Sequence, residues 1–322
     1  MKKVIVINLI LITIIIILLE LIFNFLKFSN LMGIKSGLIY KENGSHYLYP
    51  NKTGIIFDKK VFTDKFSFRV PEIPFQYQND KSIYIIGDSV AFGNGVEEQN
   101  TFVGLLRTKY SKINFLNSSV PGYQIKDHII NLSKIENFEN VEKIIYFITL
   151  NDVFLTSNII KINNRNNSDE GKYYLRNYKI IEQLNLYLRD KSYLYMFIKG
   201  IGTDPSKRWF SNILNEYKNR KLDNFKKDIE KMKSFYHKNN SEFYAILLPY
   251  EFQTRNCSKD ILLPQRKLKE ILIKSNIEFK DFTEFFCNQK KPKKLFYKFD
   301  PMHLSQDGHM LVFNLLNDKI NF

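Results

Sequence analysis

Ser82-Ile83-Tyr84-Ile85-Ile86-Gly87-Asp88-Ser89 decides how this chain is read. The first five residues form a short, nearly unbroken apolar run. That pattern suits a strand buried on both faces of a parallel sheet. Gly87 allows a tight exit, and Ser89 then stands just past the carboxyl end of the strand, where ligands of open α/β sheets bind. The same rhythm repeats downstream. Helices are expected over Phe102–Tyr110, Gln124–Ile135, Asn224–His237, Leu268–Ile273 and Ser305–Leu316. They alternate with strands over Lys112–Leu116, Lys143–Ile148, Phe243–Leu248 and Ile277–Phe282. Alternation of this kind predicts an α/β domain over 81–322, with a mainly parallel five-stranded sheet and right-handed crossovers.

Working outward, the chain has 322 residues, enough for one large domain. Hydrophobic and charged fractions of 44% and 25% are those of a globular protein, and 15% aromatic residues leave rings over for a binding groove. The formal net charge of +15 suits an acidic polymer, nucleic acid or an anionic membrane surface. The lysines are scattered rather than confined to one stripe, which favours a general composition bias serving solubility. Lys290, Lys291, Lys293, Lys294 and Lys298 are the local exception; they either draw an anionic substrate or form a solvated loop.

Lys2 and Lys3 precede an apolar run from Val4 to Leu19 that continues, past Glu20, through Leu26. Roughly twenty such residues span a bilayer. Phe28-Ser29-Asn30-Leu31-Met32 offers no small-x-small cleavage site, so residues 1–28 read as a retained membrane anchor rather than a cleaved signal. Lys2 and Lys3 argue that the N-terminus is cytoplasmic, although Lys27, Lys35 and Lys41 lie on the other side. The rest of the chain is then extracytoplasmic, which argues against a nucleic-acid partner. In an oxidising compartment Cys257 and Cys287, each following a predicted strand, either pair or remain as two half-buried thiols. Residues 29–80 read as a tether and a small β appendage. Residues 155–211 interrupt the α/β rhythm, with a polar stretch at Asn163–Ser168 and one helix over Ile180–Lys199; they form either a cap beside the site or a structural cover. Neither cysteines nor histidines show metal-ligand spacing, so no metal or cofactor is expected.

Three further short motifs complete the chemistry. Gly122, after Val120-Pro121, lacks a Cβ and can bring its N–H close to a ligand. Asn151 follows the third strand and carries an amide that can donate to a developing oxyanion. Asp300 and His303 have a spacing that places both on one side of a single turn, so the acid can fix the imidazole tautomer. His309 is a nearby alternative base, but it falls well inside the closing helix. His46, His128 and His237 have no acid at comparable spacing.

This ordered set resembles the SGNH hydrolase superfamily, also called the GDSL esterases and lipases, whose four blocks carry Ser, Gly, Asn and His. The matching positions are Ser89, Gly122, Asn151 and His303, with Asp300 in the Asp-x-x-His block. The likeness covers about residues 80 to 318. It implies a three-layer α/β/α sandwich and serine-based acyl-ester chemistry. In that scheme Ser89 is nucleophile, His303 base and Asp300 its orienting acid, while Ser89 N–H, Gly122 N–H and Asn151 line an oxyanion hole. One departure is visible: the third block usually reads Gly-x-Asn-Asp, whereas Thr149-Leu150-Asn151-Asp152 puts a side chain where the family has none. The expected substrate is an acylated carbohydrate or lipid. Three functions compete: an esterase, an O-acyltransferase using the same residues, and a non-catalytic envelope module, which leaves the triad without purpose.

Overall fold

The computed structural model describes residues 2–27, 31, 37–42, 45–77, 81–153, 179–238 and 240–322. The expected polar stretch at Asn163–Ser168 lies outside them.

Helix α1 spans Lys2–Leu26 and has no buried residue. A hairpin follows, β1 (Ile39–Glu42) paired antiparallel with β2 (Ser45–Leu48). Next come β3 (Thr53–Ile56), β4 (Lys59–Thr63), β5 (Arg69–Val70) and β6 (Ser82–Ile86). Then follow α2 (Ser89–Phe92), α3 (Phe102–Lys109), β7 (Asn114–Asn117), α4 (Ile125–Ile130) and β8 (Val141–Ile148). Four consecutive helices come next: α5 (Lys179–Lys191), α6 (Tyr193–Thr203), α7 (Pro205–Asn219) and α8 (Asp223–Lys238). The chain closes with β9 (Glu242–Leu247), α9 (Glu251–Arg255), α10 (Leu263–Lys274), β10 (Glu278–Asp281), α11 (Thr283–Cys287) and α12 (Gln306–Lys319).

The sheet order is β10-β9-β8-β6-β7-β5-β4-β3. Strands β7, β6, β8, β9 and β10 are mutually parallel, as the alternating pattern requires. The segment expected as a separate appendage instead extends this sheet: β5, β4 and β3 add antiparallel strands, joined where Arg69 pairs with Asn117. From β6 the chain crosses to β7 on one side and then to β8 on the other, so the topological switch lies between β6 and β8. Successive strand residues face opposite sides. On β8, Phe147 packs against Phe102 of α3 and Tyr146 against His128 of α4, so helices cover both faces and the domain has three layers.

The helix expected over Ile180–Lys199 is two helices. Ser192 breaks it, because its hydroxyl accepts the Tyr195 N–H and caps α6. Cys257, just after α9, and Cys287, at the end of α11, form a disulfide with Cα atoms 6.2 Å apart. Their elements follow the neighbouring strands β9 and β10.

Candidate active site

Ser89 opens α2 directly beyond β6. Asp88 caps that helix, its Oδ1 accepting the Val90 N–H at 2.8 Å. Gly87 is needed for packing: a Cβ there would lie 2.5 Å from that of Ala91 and 3.3 Å from the Phe147 carbonyl. Across the switch, Asn151 follows β8 in the turn Thr149–Asp152. The Gly122 loop is tied to both. Val120 N–H donates to the Gly87 carbonyl, Ile125 N–H to that of Asp152, and the Gln124 amide to that of Asn151. Gly122 itself has φ +83°, a left-handed conformation that a side chain disfavours.

His303 arrives from far along the chain. Its Nε2 is 2.8 Å from Ser89 Oγ, and its Nδ1 is 2.8 Å from Asp300 Oδ2. The other oxygen of Asp300 accepts the Met302 and His303 N–H groups, which folds the Asp-x-x-His turn around its own carboxylate. Ser89, Asn151, Asp300 and His303 are all buried, each less than a tenth exposed. Burial opposes the charged form of His303, but the Asp300 charge and hydrogen bond, with Asp88, hold its pKa above the ordinary 6.5. Burial likewise pushes Asp300 up, and the His303 charge and hydrogen bonds more than reverse this. His309, the nearby alternative base, has its Nδ1 occupied by the Phe102 N–H. Burial, with the Arg69 and His303 charges, pushes its pKa down to about 3, so it stays neutral.

Several supporting residues carry no motif. Thr149, in the position that departs from the family pattern, joins two buried acids. Its hydroxyl lies 2.9 Å from Asp88 Oδ2, 3.0 Å from Asp152 Oδ1 and 3.1 Å from Asn151 Oδ1. One hydroxyl has one proton to give. Burial, reinforced by the Asp88 charge, drives the Asp152 pKa far up, and burial raises that of Asp88 as well, so two buried acids share this hydroxyl. Tyr250, at the N-terminus of α9, donates its hydroxyl to Asn151 Oδ1. That engages the amide oxygen, while the amide nitrogen hydrogen-bonds the Asp88 carboxylate and keeps a second N–H to offer a substrate. His46, placed by sequence reading in the tether, reaches the Gly122 loop. Its Nε2 is 2.7 Å from the Pro121 carbonyl, the other half of the peptide that carries the Gly122 N–H. Arg69, fully buried, donates to the carbonyls of Phe92, Gly93 and Val96 and fastens the chain leaving α2.

The segment expected as either a cap or a structural cover contributes Ser206 of α7, whose hydroxyl donates to the Asp300 carbonyl at 3.1 Å. Tyr217, further along α7 and beyond that segment, donates to the Leu150 carbonyl at 3.1 Å. A second cover comes from the β3–β4 turn, whose Phe57 and Asp58 both have positive φ. The Phe57 ring meets the His303 ring edge-on, centroids 5.0 Å apart. Among the described residues no group of three or more His, Cys, Asp or Glu side chains is arranged to hold a metal ion.

A serine, a histidine and an aspartate in one hydrogen-bonded line, at the switch point of a doubly wound sheet, define this site as a candidate hydrolase centre. No family model and no curated protein matches the sequence. Among solved structures, the chain is similar to a lipase/acylhydrolase from Enterococcus faecalis, at 15% identity and a TM-score of 0.43, covering 74% of this chain and 95% of that one. It is also similar to a member of the lipolytic G-D-S-L family from Veillonella parvula, at 13% identity and a TM-score of 0.45, covering 74% and 98%. A third similar structure is a catalytic mutant of an acetylxylan esterase from Geobacillus stearothermophilus, at 14% identity and a TM-score of 0.44, covering 77% and 97%.

Proposed function

We propose that this chain is a serine-dependent acyl-ester hydrolase, held in the membrane by α1, with its catalytic domain outside the cytoplasm and an O-acylated glycan or lipid as substrate. The observation that carries the reading is the unbroken line Asp300–His303–Ser89, with both links at 2.8 Å. In this scheme His303 takes the Ser89 proton as Oγ attacks the ester carbonyl, and Asp300 stabilises the resulting imidazolium. The Ser89 and Gly122 N–H groups and the Asn151 amide receive the oxyanion. Each such donor contributes roughly 3 kcal/mol to the transition state. His303 then returns the proton to the departing alcohol, leaving an acyl-Ser89 ester. Water activated by the same imidazole releases the acid and restores the hydroxyl. No step calls for a metal or cofactor.

Burial of the site under Phe57 favours a second reading, in which a sugar hydroxyl replaces water as acceptor. Lys2 and Lys3 at the start of α1 support the cytoplasmic placement of the N-terminus, and the Cys257–Cys287 disulfide supports an oxidising compartment for the domain.

The test uses the full chain in detergent. It is expected to hydrolyse an aryl acetate and to take a fluorophosphonate label at Ser89, with both lost in Ser89→Ala. A well-folded protein that neither turns over nor labels would overturn the reading in favour of a binding module. Transfer of acetyl to an added oligosaccharide faster than to water selects the transferase.

A further inference from the structure

The end of α1 is not a free tether. The Glu20 carboxylate accepts the Ser192 hydroxyl and the Tyr193 and Leu194 N–H groups, at 2.5, 2.7 and 3.3 Å, and so caps the N-terminus of α6. Phe23 meets Phe197 of α6 edge-on at 4.7 Å, and Lys27 donates to the Tyr193 hydroxyl at 2.8 Å. A 25-residue helix is about 37 Å long, longer than the roughly 30 Å hydrocarbon slab. Glu20 lies about 9 Å below the outer end of α1 at 1.5 Å per residue. If α1 spans a bilayer from Lys2 and Lys3 outward, α6 therefore starts at the boundary between acyl chains and headgroups.

The exposed side of α6 suits that depth. Leu194, Ile198 and Ile201 recur at i, i+4 and i+7, which makes one stripe. Leu194 is half-buried, while Ile198 and Ile201 are 62% and 64% exposed. The stripe flanks Phe197, the residue that touches α1, so it continues the apolar surface of the spanning helix.

From α6 two short paths reach the catalytic turn. The Tyr193 hydroxyl donates to Asp58 at 2.6 Å, next to Phe57 on the His303 ring. Phe197 also packs against Phe299, at 5.8 Å, immediately before Asp300.

We propose that α6 rests on the lipid surface, its Leu194–Ile198–Ile201 stripe inserted at the headgroup boundary of the membrane that α1 spans, so that the catalytic turn faces substrate presented at that surface. The proposal rests on the anchor reading of α1 and adds a second membrane contact to it.

The test places single tryptophans in the full chain, in a Trp209→Phe background shown still to hydrolyse a soluble aryl acetate. Ile198→Trp and Ile201→Trp report α6, and Ile12→Trp reports α1. Each protein is reconstituted into phosphatidylcholine vesicles with acyl chains brominated near the headgroup or near the bilayer centre. Ile12→Trp is expected to be quenched most by the deep bromines. Ile198→Trp and Ile201→Trp are expected to lose more than half their emission to the shallow ones. Quenching at position 12 with none at 198 and 201 overturns the proposal and leaves the anchor standing. No quenching at any position overturns both. Shielding of 198 and 201 by a second copy, seen as a cross-linked dimer, also overturns it. In a second arm, Ile198→Asp with Ile201→Asp is expected to keep turnover of the soluble ester and to lose it at least tenfold on an ester embedded in vesicles. Equal turnover of both esters overturns the proposal.

Discussion

Removing the Tyr250 hydroxyl isolates the role assigned to the Asn151 amide. Tyr250→Phe keeps the buried ring and deletes only the donor to Asn151 Oδ1. Without it Oδ1 keeps only its 3.1 Å contact with the Thr149 hydroxyl, and the amide nitrogen is held less firmly toward the proposed oxyanion position. One neutral hydrogen bond contributes about 1 kcal/mol net, which converts to a roughly five- to tenfold fall in kcat. Asn151→Ala removes the donor outright and is expected to cost roughly 10²- to 10³-fold. Tyr250 acts through Asn151, so Tyr250→Phe in the Asn151→Ala background should change kcat by less than twofold. The assay is steady-state hydrolysis of an aryl acetate by the four proteins of the cycle, with melting temperatures to show that each is folded. Additive losses would show that Tyr250 acts by another route and would refute the positioning argument.

Four other outcomes follow from the contacts described above. Because Asp300 and Asp88 hold the His303 pKa above 6.5, and the neutral ring is the base, kcat/KM should rise with pH through a midpoint above 6.5. Asp300→Asn should move that midpoint down and cut kcat by about 10⁴-fold. His46→Ala should lower kcat about tenfold with little change in KM, and His46→Gln, which keeps an N–H donor for Pro121, should recover most of it; a loss confined to KM would place His46 at the substrate instead. Reduction of the disulfide, whose cysteines are 30 residues apart, should lower stability by about 3 to 4 kcal/mol, measured by denaturant melts with and without reductant.

The parallel strands and the side chains that meet at the candidate site were legible because each sits at the edge of an apolar run whose period is local. Gly87-Asp88-Ser89, Asn151 and Asp300–His303 all announce themselves within a few residues. The supporting contacts did not, because each joins positions far apart in sequence. Arg69 looks like one polar residue in a short strand, yet it holds three carbonyls at and just beyond the end of α2. Nothing near His46 or Tyr250 marks either one as a partner of an oxyanion donor. The β appendage looked separate because Pro71 and Pro74 punctuate the chain before β6. Its pairing to β7 runs through Arg69 and Asn117, a link no window of sequence contains. Ser192 reads as an ordinary interruption in an apolar helix until Glu20 is seen to meet it across 172 residues.

Ser89 and His303, whose side chains meet at 2.8 Å, are separated by 214 positions. During synthesis the hydroxyl is therefore in place long before the imidazole it bonds to. Under the proposed mechanism, nascent chains and fragments that end between the two are expected to be inert toward esters.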